Sequence, residues 1–167
     1  MIVVRAAAPG DREAIRRIHT AAFGRADEAE LALRLLAREP ACISLVAEDA
    51  GAPVGHVLWS PVRVEGRALE PAPMALGPLA VLPESQRSGA GGALTRAGLD
   101  ECRKRGVPFA VVLGHTSYYP RFGFAPAARF GLGFADAPPR DAFMALELAP
   151  GSLANVGGRV RYAPEFG

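Results

Sequence analysis

The sequence predicts one α/β (α+β) domain: a mixed sheet with helices on both faces. Three observations carry this reading. Alternating apolar and polar residues in the first half mark antiparallel strands. A single strand–helix–strand crossover occupies residues 74 to 113. Of 167 residues, 50% are hydrophobic and 22% charged, enough for one packed core and too apolar for disorder.

Ile2 to Ala6 is a short strand, punctuated by Pro9-Gly10-Asp11, where Asp11 suits a helix N-cap. Ile15, Ile18, Ala22 and Phe23 recur at helical spacing from Arg12 to Phe23. Asp27 is expected to cap a second helix with Leu31, Leu35 and Leu36 as its apolar stripe, ended by Pro40. Cys42 to Glu48 alternates as a strand, Ala50-Gly51-Ala52 turns, and Val54 to Trp59 returns, an antiparallel hairpin. Glu65-Gly66 marks a further turn. Met74 to Leu82 is the next strand, and its internal Gly77-Pro78 predicts a bulge or a break in the ladder.

Gly89 to Arg105 is the clearest helix, with Ala90, Ala93, Leu94, Ala97 and Cys102 on one face and Gly106 as its C-terminal cap. Phe109 to Leu113 is a continuous apolar run, as expected of a strand buried on both faces. Tyr118 to Phe122 predicts a short helix and Phe143 to Leu148 a strand, with strand fragments and loop from Ala125 to Arg140. The core is expected to span about residues 1 to 148. Residues 149 to 167 form an extension in which Arg159 to Tyr162 adds an edge strand or mediates pairing between subunits.

Composition narrows the function classes. A formal charge of +2 argues against a nucleic-acid binder that neutralises many phosphates. Cys42 and Cys102 form no Cys-x-x-Cys pair, so a thiolate zinc site is not expected; they read as two buried thiols in a reducing compartment. His19 and His56 fall on a helix face and in a strand, without metal spacing. The N-terminal stretch lacks the pattern of a signal peptide, and no apolar run approaches the roughly 20 residues of a membrane helix. A soluble cytoplasmic protein is expected, acting as a monomer or homodimer.

The unusual stretch is Leu79 to Leu94, where a strand passes through Arg87 and three closely spaced glycines into a helix. The first amides of a helix lack intrahelical partners, the dipole favours an anion there, and glycine admits close approach. A phosphate or pyrophosphate is the natural ligand; the alternative is that the glycines only make a tight turn. A Walker loop is excluded because no Gly-Lys-Ser or Gly-Lys-Thr occurs, and a dinucleotide fingerprint because Leu94 stands where its third glycine belongs. Tyr118-Tyr119-Pro120-Arg121-Phe122-Gly123-Phe124 holds four aromatics in seven residues. Two or three of these close the core, and a tyrosine hydroxyl near a pocket can donate a proton to a leaving group.

Gln86-Arg87-Ser88-Gly89-Ala90-Gly91, after Leu79-Ala80-Val81-Leu82-Pro83, resembles the acetyl-CoA signature of the GCN5-related N-acetyltransferases, and Tyr119 to Phe124 resembles their second motif. Together with Leu76 to Val81 and Val112 to His115, the pattern is similar to the bacterial YhbS-like branch over nearly the whole chain. The resemblance implies a mostly antiparallel central sheet with a splayed strand pair around acetyl-CoA. It implies that Arg87, Ser88, Gly89, Ala90, Gly91 and Gly92, with Gln86 at the entrance, hold the pyrophosphate, and that Leu79, Ala80 and Val81 pair with the pantetheine arm. The backbone N–H near Val81 would meet the thioester oxygen, and Tyr119 would protonate the leaving sulfur. The implied reaction is acetyl transfer to a small-molecule or peptide amine, without a metal. The base is open among Glu28, Glu30, Glu48 and His115. The alternative is a non-catalytic acyl-CoA sensor on the same fold.

Overall fold

The computed structural model describes residues 1–134 and 141–167. In chain order the elements are β1 (Ile2–Ala6), α1 (Arg12–Phe23), α2 (Asp27–Arg38), β2 (Ile43–Asp49), β3 (Ala52–Pro61), β4 (Arg63–Val64), β5 (Met74–Val81), α3 (Ala90–Lys104), β6 (Phe109–Leu113), β7 (Ala125–Pro126), β8 (Leu132–Phe134), β9 (Phe143–Glu147) and β10 (Gly158–Arg161). The main sheet is mixed and mostly antiparallel and is flanked by helices, as expected, and β4, β10 and β8 form a second, three-stranded sheet. The chain divides into two compact units. The first holds Met1–Ser60 and Gly77–Leu99; the second holds Pro61–Leu76 and Asp100–Glu165.

In the first unit β1 pairs antiparallel with β2, from Ile2↔Asp49 to Ala6↔Leu45, and β2 with β3, from Ile43↔Trp59 to Asp49↔Ala52. The β2–β3 turn sets Ala50 and Gly51 at φ of 51° and 80°, the positive values a tight hairpin turn requires. The amphipathic helices bury Ile15 and Ile18 from α1 and Ala29, Ala32, Leu33 and Leu35 from α2. Asp11 occupies the N-cap position, but its carboxylate turns back to accept the Ala8 N–H at 2.7 Å and both terminal nitrogens of Arg5 at 2.7 and 2.9 Å. Arg5 also reaches Glu48 at 3.1 Å, so one guanidinium ties β1, the start of α1 and β2 together. Its bidentate grip holds the Asp11 carboxyl down at about 2. Asp27 is not the cap of α2: it is the first helical residue, behind Ala26, where its charge favours the helix dipole instead. The helix stops at Arg38, before Pro40, because the residue preceding a proline disfavours helical backbone.

Glycine lets α3 lie flush on β3. A Cβ on Gly98 would stand 2.1 Å from the Trp59 indole nitrogen, so any larger residue would displace a fully buried ring. A Cβ on Gly55 would meet Leu94 at 3.1 Å and the Ala80 carbonyl oxygen at 3.2 Å.

In the second unit β6 pairs antiparallel with β9, from Phe109↔Glu147 to Leu113↔Phe143, and β9 with β7. The first residues of β5 run parallel to β6, from Met74↔Ala110 to Leu76↔Val112. β6 is buried from Phe109 to Val112 as expected, whereas Leu113 is 43% exposed. The residues after Leu148 enter the core: Leu153, Val156 and Val160 pack with Val62, Phe109 and Phe143. Arg159 to Tyr162 is not an edge strand. β10 lies between β4, antiparallel through Val160↔Val64, and β8, parallel through Arg159↔Gly133, so both of its edges are paired by segments distant in the chain. Of the loop expected from Ala125 to Arg140, residues 135–140 lie outside the described residues. Cys102 is buried and Cys42 only half-buried, neither is in a disulfide among the described residues, and burial pushes the Cys102 thiol up to about 12.

His19 on α1 and His56 on β3 are fully buried and bonded to each other, Nε2 to Nδ1 at 2.8 Å; His56 Nε2 lies 2.8 Å from the Ser44 hydroxyl. His19 Nδ1 has no partner among the described residues. The arrangement favours His19 Nε2–H donating to His56 and His56 Nε2–H donating to Ser44. That order leaves only an unfilled lone pair at His19 Nδ1, whereas the reverse would bury an unbonded N–H. Burial holds His19 down at about 4 and His56 at about 3. Both folded values lie below the ordinary value of 6.5, so this stabilisation is complete above pH 6.5 and is lost as the pH falls toward 4. The thermal midpoint should drop between pH 6.5 and 5 by an amount corresponding to about 2 kcal/mol per imidazole at pH 5. Scanning calorimetry from pH 8 to 5 tests this; a level midpoint contradicts neutral buried imidazoles.

Candidate active site

The first unit carries the glycine loop. β5 ends at Val81, and Leu82 N–H donates to the Val54 carbonyl at 2.8 Å, anchoring the strand's end to β3. Gly77-Pro78 lies just beyond the paired Leu76; its peptide is cis and Gly77 adopts a φ of 138°. β5 continues for four residues past Gly77, while β6 ends at Leu113, one residue beyond the partner of Leu76. Leu79 and Val81 are half-buried and Ala80 is buried. Pro83–Ser85 makes one 3₁₀ turn, after which the chain bends at Arg87 and Gly89, with φ of 66° and 90°. A Cβ on Gly89 would have nothing within 4 Å, so the space before the helix is open.

Helix α3 closes its first internal bond from Ala93 N–H to the Gly89 carbonyl at 3.0 Å. The amides of Gly89, Ala90, Gly91 and Gly92 therefore precede the ladder, which makes the helix entrance a donor surface. Ser88 Oγ lies 3.4 Å from the Ala90 N–H, at the limit of a hydrogen bond. Buried Thr95 donates its hydroxyl to the Gly91 carbonyl at 2.9 Å, steadying the first turn from behind. Arg87 is exposed at the loop's crest, and Gln86 Nε2 reaches the Val81 carbonyl at 3.4 Å, joining the entrance of the loop to the strand. Leu79 to Val81 and Gln86 to Gly92 thus form one continuous backbone surface, suited by its bare amides and its cation to a pyrophosphate.

The second unit carries the aromatic turn. Tyr119–Phe122 is a 3₁₀ helix closed by Gly123 at φ 103°, slightly shorter than the sequence predicts. Tyr118 and Tyr119 N–H groups both donate to the His115 carbonyl, at 3.1 and 3.4 Å. Tyr119 is 8% exposed, with its ring edge-on to Tyr118 at 5.0 Å and to Phe124 at 5.8 Å. Burial pushes its phenol up to about 12, so it holds its proton at neutral pH. Tyr118 is instead capped by Arg121, whose guanidinium sits 4.6 Å from the ring centre. His115 is exposed on the loop before the turn.

The carboxylates considered as bases are all committed elsewhere. Glu28 pairs with Arg25 at 2.7 Å, Glu30 pairs with Arg16, and Glu48 lies 3.1 Å from Arg5. Arg25 also lowers the Glu28 carboxyl, which weakens it as a base. Among the described residues no group of three or more His, Cys, Asp or Glu side chains is placed to hold a metal ion. Sequence reasoning passed over Gly114 as a supporting residue. A Cβ there would lie 2.6 Å from the Tyr119 ring, so this glycine makes the space in which the phenol rests. Its signal was a glycine set directly after a buried strand and five residues before the tyrosine.

The GNAT acetyltransferase domain pattern matches residues 3–127, and the chain belongs to the GCN5-related N-acetyltransferase family. It is similar to YhbS of Escherichia coli K12, an uncharacterized N-acetyltransferase, at 33% identity over 99% of this chain and 98% of YhbS. It is 43% identical to another uncharacterized N-acetyltransferase, YjhQ of the same strain, over 71% of this chain and 66% of YjhQ, just under two thirds of that relative. The solved structure of E. coli YhbS in complex with CoA superposes with a TM-score of 0.92 at 32% identity, covering 99% of this chain and 91% of that one. A GNAT acetyltransferase from Brucella melitensis in complex with acetyl-CoA gives 0.81 at 33% identity, covering 100% and 99%.

Gly114→Ala should force the Tyr119 ring from its seat. The expected loss is of thermal stability, by about 1–3 kcal/mol, together with an altered Tyr118–Tyr119 edge contact visible in ring-proton NMR. Unchanged stability and unchanged ring shifts would show that the pocket wall relaxes freely.

Proposed function

We propose that this protein transfers the acetyl group of acetyl-CoA directly to an amine on a small molecule or peptide, as one soluble cytoplasmic catalytic domain. One observation carries the proposal. After β5 the chain passes through left-handed Arg87 and Gly89 into α3, presenting the Gly89–Gly92 amides beside open space. The CoA-bound YhbS and the acetyl-CoA-bound Brucella enzyme, each about one-third identical to this chain, support assigning that surface to coenzyme A.

Arg87 through Gly92 would hold the pyrophosphate, Leu79 to Val81 the pantetheine amides, and Gln86 the entrance. Acetyl-CoA supplies an activated acetyl thioester when bound. The Val81 N–H is assigned to the acyl oxygen, where a fixed backbone donor is worth most as charge develops. Tyr119 Oη is assigned as proton donor to the departing sulfur, and its retained proton at neutral pH is the state a general acid needs. His115 is retained as a residue near the turn, with its carbonyl positioning Tyr119. Glu28, Glu30 and Glu48 are not assigned as base, since each is held in an ion pair. Those three ion pairs also favour a second reading, a non-catalytic acyl-CoA sensor.

Millimolar acetyl-CoA should raise the thermal midpoint, and Gly89→Glu should abolish the shift through like-charge repulsion at the cradle; a wild-type midpoint indifferent to both acetyl-CoA and CoA defeats the donor assignment. In a thiol-release assay across a panel of amines, Tyr119→Phe should lower kcat by about 10²-fold or more with little change in acetyl-CoA affinity. Equal turnover in that variant removes Tyr119 from the chemistry. CoA binding without turnover on any amine favours the sensor.

A further inference from the structure

The second unit has a feature that the donor surface does not use. In β4 and β10 the buried Val64 and Val160 point to the core, so Arg63, Glu65, Arg159 and Arg161 share the opposite, exposed face. Arg63 and Arg161 are direct cross-strand partners, an arrangement in which like charges repel. The turn from Val64 to Arg67, closed by the Arg67 N–H to Val64 carbonyl bond at 3.1 Å with Gly66 at φ 77°, adds a fourth arginine. Four arginines against one glutamate leave a local excess of three positive charges, more than the +2 of the whole chain.

Three of these arginines and Glu65 border a hollow of about 290 Å³ lined by Arg63, Val64, Glu65, Gly66, Arg67 and Arg161, with Arg159 outside it and a net excess of two positive charges around it. Their hydrogen bonds leave donors to spare. Arg161 spends its Nε on Glu65, and Arg67 spends one terminal nitrogen on the Asn155 carbonyl at 2.7 Å. Arg63 has no ion pair among the described residues. The unused guanidinium edges of three arginines outnumber what one carboxylate can accept, and they match the three terminal oxygens of a phosphate. The hollow exceeds the volume of a bare phosphate, which leaves room for a small organic group.

We propose that this hollow is a second anion site, separate from the coenzyme A cradle, and that it takes a small phosphate monoester. Glu65 sets its strength. Its carboxylate occupies Arg161 and repels a dianion, so the site is held at reduced affinity. The proposal does not depend on acetyl transfer.

Arginine Nε–H NMR under titration tests it residue by residue, with inorganic phosphate, phenyl phosphate and dimethyl phosphate as probes and sodium chloride as the screening control. Inorganic phosphate and the monoester should shift Arg63, Arg67 and Arg161 saturably, and the diester should not. Arg63→Ser should weaken phosphate about tenfold, while Glu65→Gln should tighten it, with thermal midpoints unchanged for both. The proposal is overturned if only Arg87 responds, if chloride produces the same shifts, or if the diester binds as well as the monoester. It is overturned equally if Glu65→Gln fails to tighten binding.

Discussion

The closeness with which α3 approaches β3 governs the rest of the first unit. At Gly55 the neighbouring strand and helix stand where a methyl group would be, with the Ala80 carbonyl oxygen 3.2 Å and Leu94 3.1 Å from that point. At Gly98 the Trp59 ring fills the space outright. These contacts leave α3 little freedom to slide or rotate along the strand, because packed interiors have few voids to move into. The entrance of α3 is therefore aimed by packing behind it, and the Leu82–Val54 bond fixes the strand that feeds it. A binding surface made of backbone amides needs such support, since no side chain can swing to correct a misplaced one.

Much of this was legible in the sequence because the relevant chemistry is carried by the backbone. Gly89, Gly91 and Gly92 between a strand and a helix state their purpose locally, and Gly77-Pro78 marks where the ladder changes. The coarse order of strands and helices followed from alternation and from the 3.6-residue period for the same local reason. What escaped was nonlocal. His19 and His56 are 37 residues apart and meet only because α1 crosses β3. Asp27 had the composition of a cap yet fell one position inside its helix, since boundaries depend on what precedes them as much as on the capping residue. β10 looked like an edge strand because its pairing with β8 spans 26 residues of chain, from Leu132 to Gly158. The ion pairs that occupy Glu30 and Glu48 were equally invisible, since Arg16 and Arg5 reach them only in the folded chain, whereas Arg25 stands three residues before Glu28 and that pair is local.

The distribution of charge has its own logic. Ionisable groups in the interior are held neutral: the two imidazoles, the Cys102 thiol and the Tyr119 phenol all have values displaced by burial toward their uncharged forms. Where a charge is partly buried, at Asp11, it is bonded on several sides and its carboxyl is correspondingly strong. The strongly cationic face of β4 and β10 stands apart from this pattern. It concentrates charge at the surface with a single carboxylate for compensation.

Trp59 is the only tryptophan in the chain, and it is fully buried against the glycine face of α3. Its indole N–H finds no hydrogen-bond partner among the described residues. An indole so dry and so confined emits at short wavelength, and from β3 it packs against α3, the helix whose entrance presents the Gly89–Gly92 amides. The molecule thus carries its own optical gauge of how firmly that helix is seated, readable without any label.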